Sequence, residues 1–209
     1  MCILARGKQV EEVAAAIGPQ VMGLQVDVSS PEDLVRVCDR VAGKWGGIDV
    51  LVNNAGLHRG GRVDTLSLEA WGKSLATNLT GPLCAIRAAL PHMAQGGSIV
   101  NIGAVVGFRG FPGDSCYGAS KAGLAGLTHV LATELAGQGI RVNLVVPGFV
   151  MTEMTAEVSE RAREAIVAKI PLGRMGRAEE IAEVCWWVAG STYMTGSVIM
   201  TDGGLMCSL

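Results

Sequence analysis

Tyr117 and Lys121 stand four residues apart in the run Tyr117-Gly118-Ala119-Ser120-Lys121. That spacing puts a phenol and an ammonium one turn apart on one face of a helix. A phenol ordinarily titrates near pH 10, too high to lose and regain a proton easily at neutral pH, and an adjacent cation lowers that value. Such a pair could hand a proton to a substrate oxygen as an acid/base couple. By itself a Tyr and a Lys at this spacing are common, and an exposed helix pair is the plain alternative. The weight comes from the company the pair keeps, in a fixed order: Asn53-Asn54-Ala55-Gly56 after a strand-like run, Asn78 in a long helical segment, and Pro147-Gly148 after another strand-like run.

The elements that must position these residues read as βαβ units. Short apolar runs at Val21–Val26, Val50–Asn53, Ser98–Ile102, Val142–Val146 and Val198–Thr201 alternate with helical segments. The helical segments are Lys8–Ile17, Pro31 to about Lys44, Leu68 to about Met93, Tyr117–Gly137, Glu160–Ile170 and Ala178–Ala189. That alternation predicts an α/β fold with a doubly wound parallel sheet, each strand short, apolar and central. Ser30-Pro31-Glu32-Asp33 carries a capping hydroxyl, a proline at the first helical position and acids in the first turn, so a helix should start there. At 209 residues and 49% hydrophobic residues, residues 1–209 are expected to form one domain. Met1–Arg6 reads as the tail of a strand, and no strand with a glycine-rich turn precedes it. The expectation is therefore an N-terminally incomplete sheet whose first strand and phosphate-holding turn are absent from the chain.

Composition excludes several classes of function. A net charge of −2, with 17 basic residues scattered among 19 acidic ones, leaves no basic face for nucleic acid. Six widely spread cysteines without a C-x-x-C pair argue against disulfides and zinc and for a reducing, cytosol-like compartment. No apolar run is long enough to span a bilayer and no leader opens the chain, so no membrane partner is expected. His58, His92 and His129 lack metal-ligand spacing and read as surface or packing residues, and no metal is expected. Trp186-Trp187 reads as core or interface, and Cys116 could line a pocket.

Taken together and in order, the motifs make the chain similar to the short-chain dehydrogenases/reductases from Leu4 to Gly204. The branch it most resembles holds bacterial 3-oxoacyl-carrier-protein reductases and carbonyl reductase 4. Supporting residues are Gly148–Met154, Ile170-Pro171-Leu172-Gly173-Arg174, Tyr193-Met194-Thr195-Gly196 and Asp202-Gly203-Gly204. The resemblance implies a Rossmann-like fold and an oxidoreductase that interconverts a carbonyl and a secondary alcohol, with a 3-oxoacyl thioester or other small carbonyl compound as substrate. Tyr117 becomes the acid/base. Lys121 lowers its pKa and binds the nicotinamide ribose, while Asn78 holds a water that extends a proton relay. Asp27 and Val28 fall beside the adenine, Asn53, Ala55 and Gly56 beneath its ribose, and Pro147, Gly148, Val150 and Thr152 at the carboxamide of nicotinamide. Arg6, just past a strand where a cation would meet a ribose 2′-phosphate, favours NADP(H), with NAD(H) as the alternative. A homotetramer and a cytoplasmic location, or alternatively an organellar matrix, are implied as well.

Ala104 departs from that pattern. The family has a serine 13 residues before the tyrosine, whose hydroxyl bonds the substrate oxygen, and this chain has alanine there. Losing one preorganised donor of this kind costs roughly 10²–10³ in rate, so an impaired enzyme, an engineered Ser-to-Ala variant, or a binding or regulatory subunit is the rival expectation. Ser115 lies close to Tyr117 in sequence but should point elsewhere.

Overall fold

In a computed structural model, described for residues 1–156 and 158–207, six parallel strands alternate with helices. They are β1 (Cys2–Ala5), β2 (Met22–Gln25), β3 (Val50–Asn53), β4 (Ser98–Ile102), β5 (Arg141–Pro147) and β6 (Val198–Thr201). The principal helices are α1 (Val10–Ile17), α2 (Pro31–Trp45), α3 (Leu68–Leu75), α4 (Gly81–Ala89), α5 (Ser115–Ala136), α6 (Glu153–Ala156), α7 (Glu160–Val167) and α8 (Ala178–Gly190). The α/β parallel architecture read from the sequence is the one found. Ser30 caps α2, its hydroxyl accepting from Asp33 N, and Gly46 closes that helix with φ of 84°, a left-handed conformation that glycine adopts without a Cβ penalty.

The strands fall into two hydrogen-bonded groups, β1–β2 and β3–β4–β5–β6, all parallel. This corrects the expectation that every strand is central. Only β4 and β5 have a partner on both sides. β3 ends its sheet, and Val50 and Val52 on it are 43% and 45% exposed. Its other face, carrying Leu51, joins Cys2 of β1 and Leu24 and Val26 of β2 in one apolar cluster under α2 and α4. Alternation along β4 sends Ile99 toward α4 and α5 and Val100 and Ile102 toward α8, so helices wind on both faces. Trp186 and Trp187, expected in core or interface, are 82% and 59% exposed on α8 within this chain. Parallel pairing places the carboxyl ends of the strands of each group on one side, where an open α/β sheet binds its ligands.

Candidate active site

The long helical segment expected from Leu68 to Met93 is one continuous path with a defect in it. Residues Ala76–Thr80 form a π-helical turn between α3 and α4, a widening often found at functional sites. Asn78 sits in that turn and is fully buried. Leu57 N donates to its Oδ1 (2.7 Å), and its Nδ2 donates to Leu57 O (2.9 Å) and Ser120 Oγ (3.0 Å). The amide thus clamps the backbone just past β3 and ties it to α5. Ser120 Oγ in turn donates to Tyr117 O (2.7 Å). A second buried relay anchors the Asn53 end of the same loop: Asn53 Nδ2 donates to Asn101 Oδ1 (2.9 Å), and Asn101 Nδ2 to Thr128 Oγ1 (3.0 Å).

Helix α5 carries both members of the proposed acid/base pair. Lys121 is 3% exposed. Its Nζ donates to Ile102 O at 2.7 Å and lies 5.8 Å from the Tyr117 ring centroid. A Cβ added at Gly56 would lie 3.8 Å from Lys121 Nζ and 3.9 Å from Asn78 Oδ1, so the strand-end turn, the ammonium and the asparagine meet at one point. Burial pulls Lys121 down to about 8. Burial likewise pushes the Tyr117 phenol up to about 12, with Asp114 adding in the same direction. Burial thus sets the direction of both shifts and runs against the lowering expected from Lys121, whose ammonium gives one of its three donors to the Ile102 carbonyl. A phenol held protonated is nonetheless the form that gives a proton away.

Ala104 follows β4 in extended conformation (φ −164°, ψ 152°) and opens a 3₁₀ turn, Val105–Gly107. That turn lies against α5. A Cβ at Gly107 would come within 2.7 Å of Ala122 N and 2.9 Å of Lys121 C, and one at Gly118 within 3.0 Å of Val106 O. Residue 104 thus leads directly into a turn that packs on the Tyr117–Lys121 part of α5. Ser115 is exposed at the start of α5. Cys116 is buried, and its Sγ donates to Arg59 O (3.0 Å).

The residues expected to hold a dinucleotide gather at the carboxyl ends of the strands in two groups. Arg6, past β1, and Asp27, past β2, line an open cleft of about 370 Å³ together with Gln25, Val26 and Asp33. Hydrogen bonds from the Ser29 hydroxyl and amide hold Asp27 below the usual carboxylate range, and Arg6 adds to the effect. Val28 packs under α2 and α4, its carbonyl against Gly81. Past β5, Gly148 N donates to Thr201 O, and a Cβ there would meet Asp202 Cα at 2.8 Å. Only glycine fits such an approach. Val150 bridges to Gly176, and Thr152 N donates to Thr155 Oγ1 (3.0 Å). Of the two groups, the open cleft bearing Arg6 and Asp27 leaves room for one end of a dinucleotide. Among the described residues, no glycine-rich strand-to-helix turn offers amides to a pyrophosphate.

The sequence reads His58 as a surface or packing residue on a loop, residues 58–62, that borders the pocket; the structure adds two distant partners. His58 Nε2 pairs with Asp114 Oδ1 at 2.8 Å, and its ring meets that of Tyr117 edge-on, 5.0 Å between centroids. The two partners are 56 and 59 positions away, so no local pattern could have flagged the contact. Among the described residues no group of three or more His, Cys, Asp or Glu is placed to hold a metal, and no helix is long and apolar enough to cross a membrane.

The family model described as Enoyl-(Acyl carrier protein) reductase matches residues 3–206. A 3-oxoacyl-acyl-carrier-protein reductase of Thermotoga maritima is 42% identical over 203 residues, 95% of this chain and 81% of that protein. The chain belongs to the short-chain dehydrogenase/reductase family. Carbonyl reductase family member 4 of Danio rerio is 41% identical over 206 residues, covering 97% of this chain and 86% of the relative. A solved short-chain dehydrogenase/reductase, a glucose/ribitol dehydrogenase from Brucella melitensis, superposes with a TM-score of 0.94 at 29% identity, over 98% of this chain and 85% of its own. As a short-chain dehydrogenase/reductase the chain is an oxidoreductase acting on a carbonyl or alcohol, and relatives of this kind imply a nicotinamide cofactor.

Proposed function

We propose that this short-chain dehydrogenase/reductase is an NADP(H)-dependent carbonyl reductase whose substrate class is the 3-oxoacyl thioester. The observation that carries the reading is the convergence of Tyr117, Lys121 and the Asn78-clamped loop at one point beneath the strand ends. The reduced nicotinamide, when bound, supplies the hydride. Tyr117 donates its phenolic proton to the carbonyl oxygen as that oxygen gains charge, and the Lys121 ammonium, with two donors left beside its bond to Ile102 O, offsets the burial that raises the phenol and so stabilises the phenolate left behind. Lys121 also holds the ribose, and Asn78 with Ser120 orders the path by which the phenol regains its proton. Arg6, beside Asp27 in the outer cleft, favours a 2′-phosphate. Pro147, Gly148, Val150 and Thr152 hold the carboxamide end, and Asn53, Ala55 and Gly56 the adenine ribose. We further propose that residues 1–209 act as one domain, in a homotetramer, within a reducing compartment such as the cytoplasm. Six free thiols and the exposed Trp186 and Trp187 support the last two points.

The test is NADPH oxidation with the acetoacetyl thioester of N-acetylcysteamine. Tyr117→Phe should abolish turnover; retention of full rate would remove the mechanism. Ala104 favours a second reading, a family member that binds nicotinamide but scarcely turns over. NADPH binding without hydride transfer, even after Ala104→Ser, would select it.

A further inference from the structure

The loop after β3 is secured three times within five residues, and the securing contacts bracket one side chain. Leu57 is clamped through both backbone atoms by Asn78. Arg59 O accepts from Cys116 Sγ (3.0 Å), and Gly61 N donates to Gly113 O (2.7 Å). Between these anchors His58 is held in two directions, by Asp114 at 2.8 Å and by the Tyr117 ring. Asp114 is itself fixed at the start of α5, where its carbonyl accepts from Gly118 N (2.7 Å), one turn before Tyr117. A histidine that merely covers surface needs none of this. Its side chain is 41% exposed, and with Nε2 committed to Asp114 its Nδ1 takes no hydrogen bond among the described residues.

We propose that His58 is a substrate-contacting residue of this site, an Asp114-held imidazole whose Nδ1 meets an acceptor oxygen next to the carbonyl that Tyr117 protonates. In a 3-oxoacyl thioester that oxygen is the thioester carbonyl, which a simple ketone lacks. The inference rests on the reductase reading and adds to it the feature by which the pocket distinguishes a 1,3-dicarbonyl compound from a monoketone. With Nε2 paired to Asp114, Nδ1 is a donor in the imidazolium form, and the Asp114 hydrogen bond favours that form by raising the imidazole pKa against the opposing pull of partial burial. An ionised donor to a neutral carbonyl is among the stronger hydrogen bonds. With Ala104 unable to donate, His58 also stands as a polar side-chain donor on the loop side of the phenol.

The experiment compares kcat/KM for the acetoacetyl thioester of N-acetylcysteamine with that for a monoketone of equal length, in the full chain and in His58→Leu, His58→Gln and Asp114→Asn. One lost hydrogen bond to a charged donor corresponds to about ten- to hundredfold. His58→Leu should lower the thioester-to-ketone ratio by that factor, His58→Gln should restore most of it, and Asp114→Asn should fall between. Separately, titrating the unloaded protein with the 3-hydroxybutyryl thioester should shift the His58 ring proton resonances, and a plain secondary alcohol should not. An unchanged ratio with unmoved His58 resonances overturns the inference, and the reductase reading still stands if Tyr117→Phe has abolished turnover. If Tyr117→Phe turns over as fast as the parent chain, the reductase reading fails and this inference fails with it.

Discussion

Replacing Lys121 by methionine should make the protein more stable while ending its activity. The ammonium is 3% exposed, and burial alone is what pulls its pKa from 10.5 to about 8. That difference corresponds to about 3 kcal/mol spent on keeping the charge inside at neutral pH. Methionine fills similar volume without the charge and forfeits the 2.7 Å bond to Ile102 O, a loss of about 1.5 kcal/mol for a charged donor. The net gain is about 1.5 kcal/mol at pH 7, or roughly 0.75 M in the urea midpoint for an m-value of about 2 kcal/mol/M. The pH dependence makes the test specific. Because the folded-state pKa lies below the unfolded one, the unfolded chain binds more protons between about pH 8 and 10.5, and parent stability rises across that window. The advantage of Lys121→Met is therefore complete below pH 8 and nearly gone by pH 9.5. Tyr117, raised to about 12, titrates above this range in both proteins. Urea unfolding at pH 7 and 9.5, followed by circular dichroism, measures it. A variant no more stable than the parent, or an advantage equal at both pH values, would refute the claim that Lys121 is held charged at a cost.

Ala104→Ser should raise kcat for thioester reduction by about 10²–10³, the contribution of one preorganised donor; steady-state NADPH oxidation reads this, and no gain means that residue 104 does not face the substrate oxygen. Arg6→Glu should weaken NADPH about ten- to hundredfold, as loss of a charge-assisted bond does, and NADH much less. Calorimetric titration decides, and equal weakening of both cofactors would take the 2′-phosphate away from Arg6. Thr128→Val should cost about 1–3 kcal/mol in urea unfolding by leaving the buried Asn101 amide without its acceptor. A change below about 0.5 kcal/mol would mean that Asn101 finds another partner.

What the sequence made legible follows from how local each signal is. β3, β4 and β6 begin and end where Val- and Ile-rich runs meet Gly, Asn or Asp, and α2 starts at its capping serine, because strand and cap preferences act within a few residues. The π turn at Ala76–Thr80 was hidden in a helical period that continues across it. It reflects a tertiary demand, the insertion of Asn78 between Leu57 and Ser120. The 3₁₀ turn after Ala104 was missed for a related reason: it packs against α5, a demand that the local sequence does not carry. Edge position is invisible in a strand such as Val50–Asn53, whose apolar run reads the same whether one side or both are paired. Tyr117 and Lys121 were placed together by helical geometry alone, yet the charge state of each depends on burial, which spacing does not encode.

Buried polar side chains, more than any single motif, mark where this sheet is specialised. Asn53, Asn78, Asn101, Ser120, Lys121 and Thr128 are all withdrawn from water, and burying such groups unpaired would cost several kcal/mol apiece. Each instead bonds to another member of the set, to a backbone carbonyl, or to both. The result is that the Asn53–Leu57 turn, the end of β4 and the first turns of α5 cannot move independently without breaking buried hydrogen bonds. A phenol that must meet a substrate oxygen within a fraction of an ångström needs such a frame. The same frame fixes Leu57, next to His58, so the His58–Asp114 pair beside the Tyr117 ring is anchored to it.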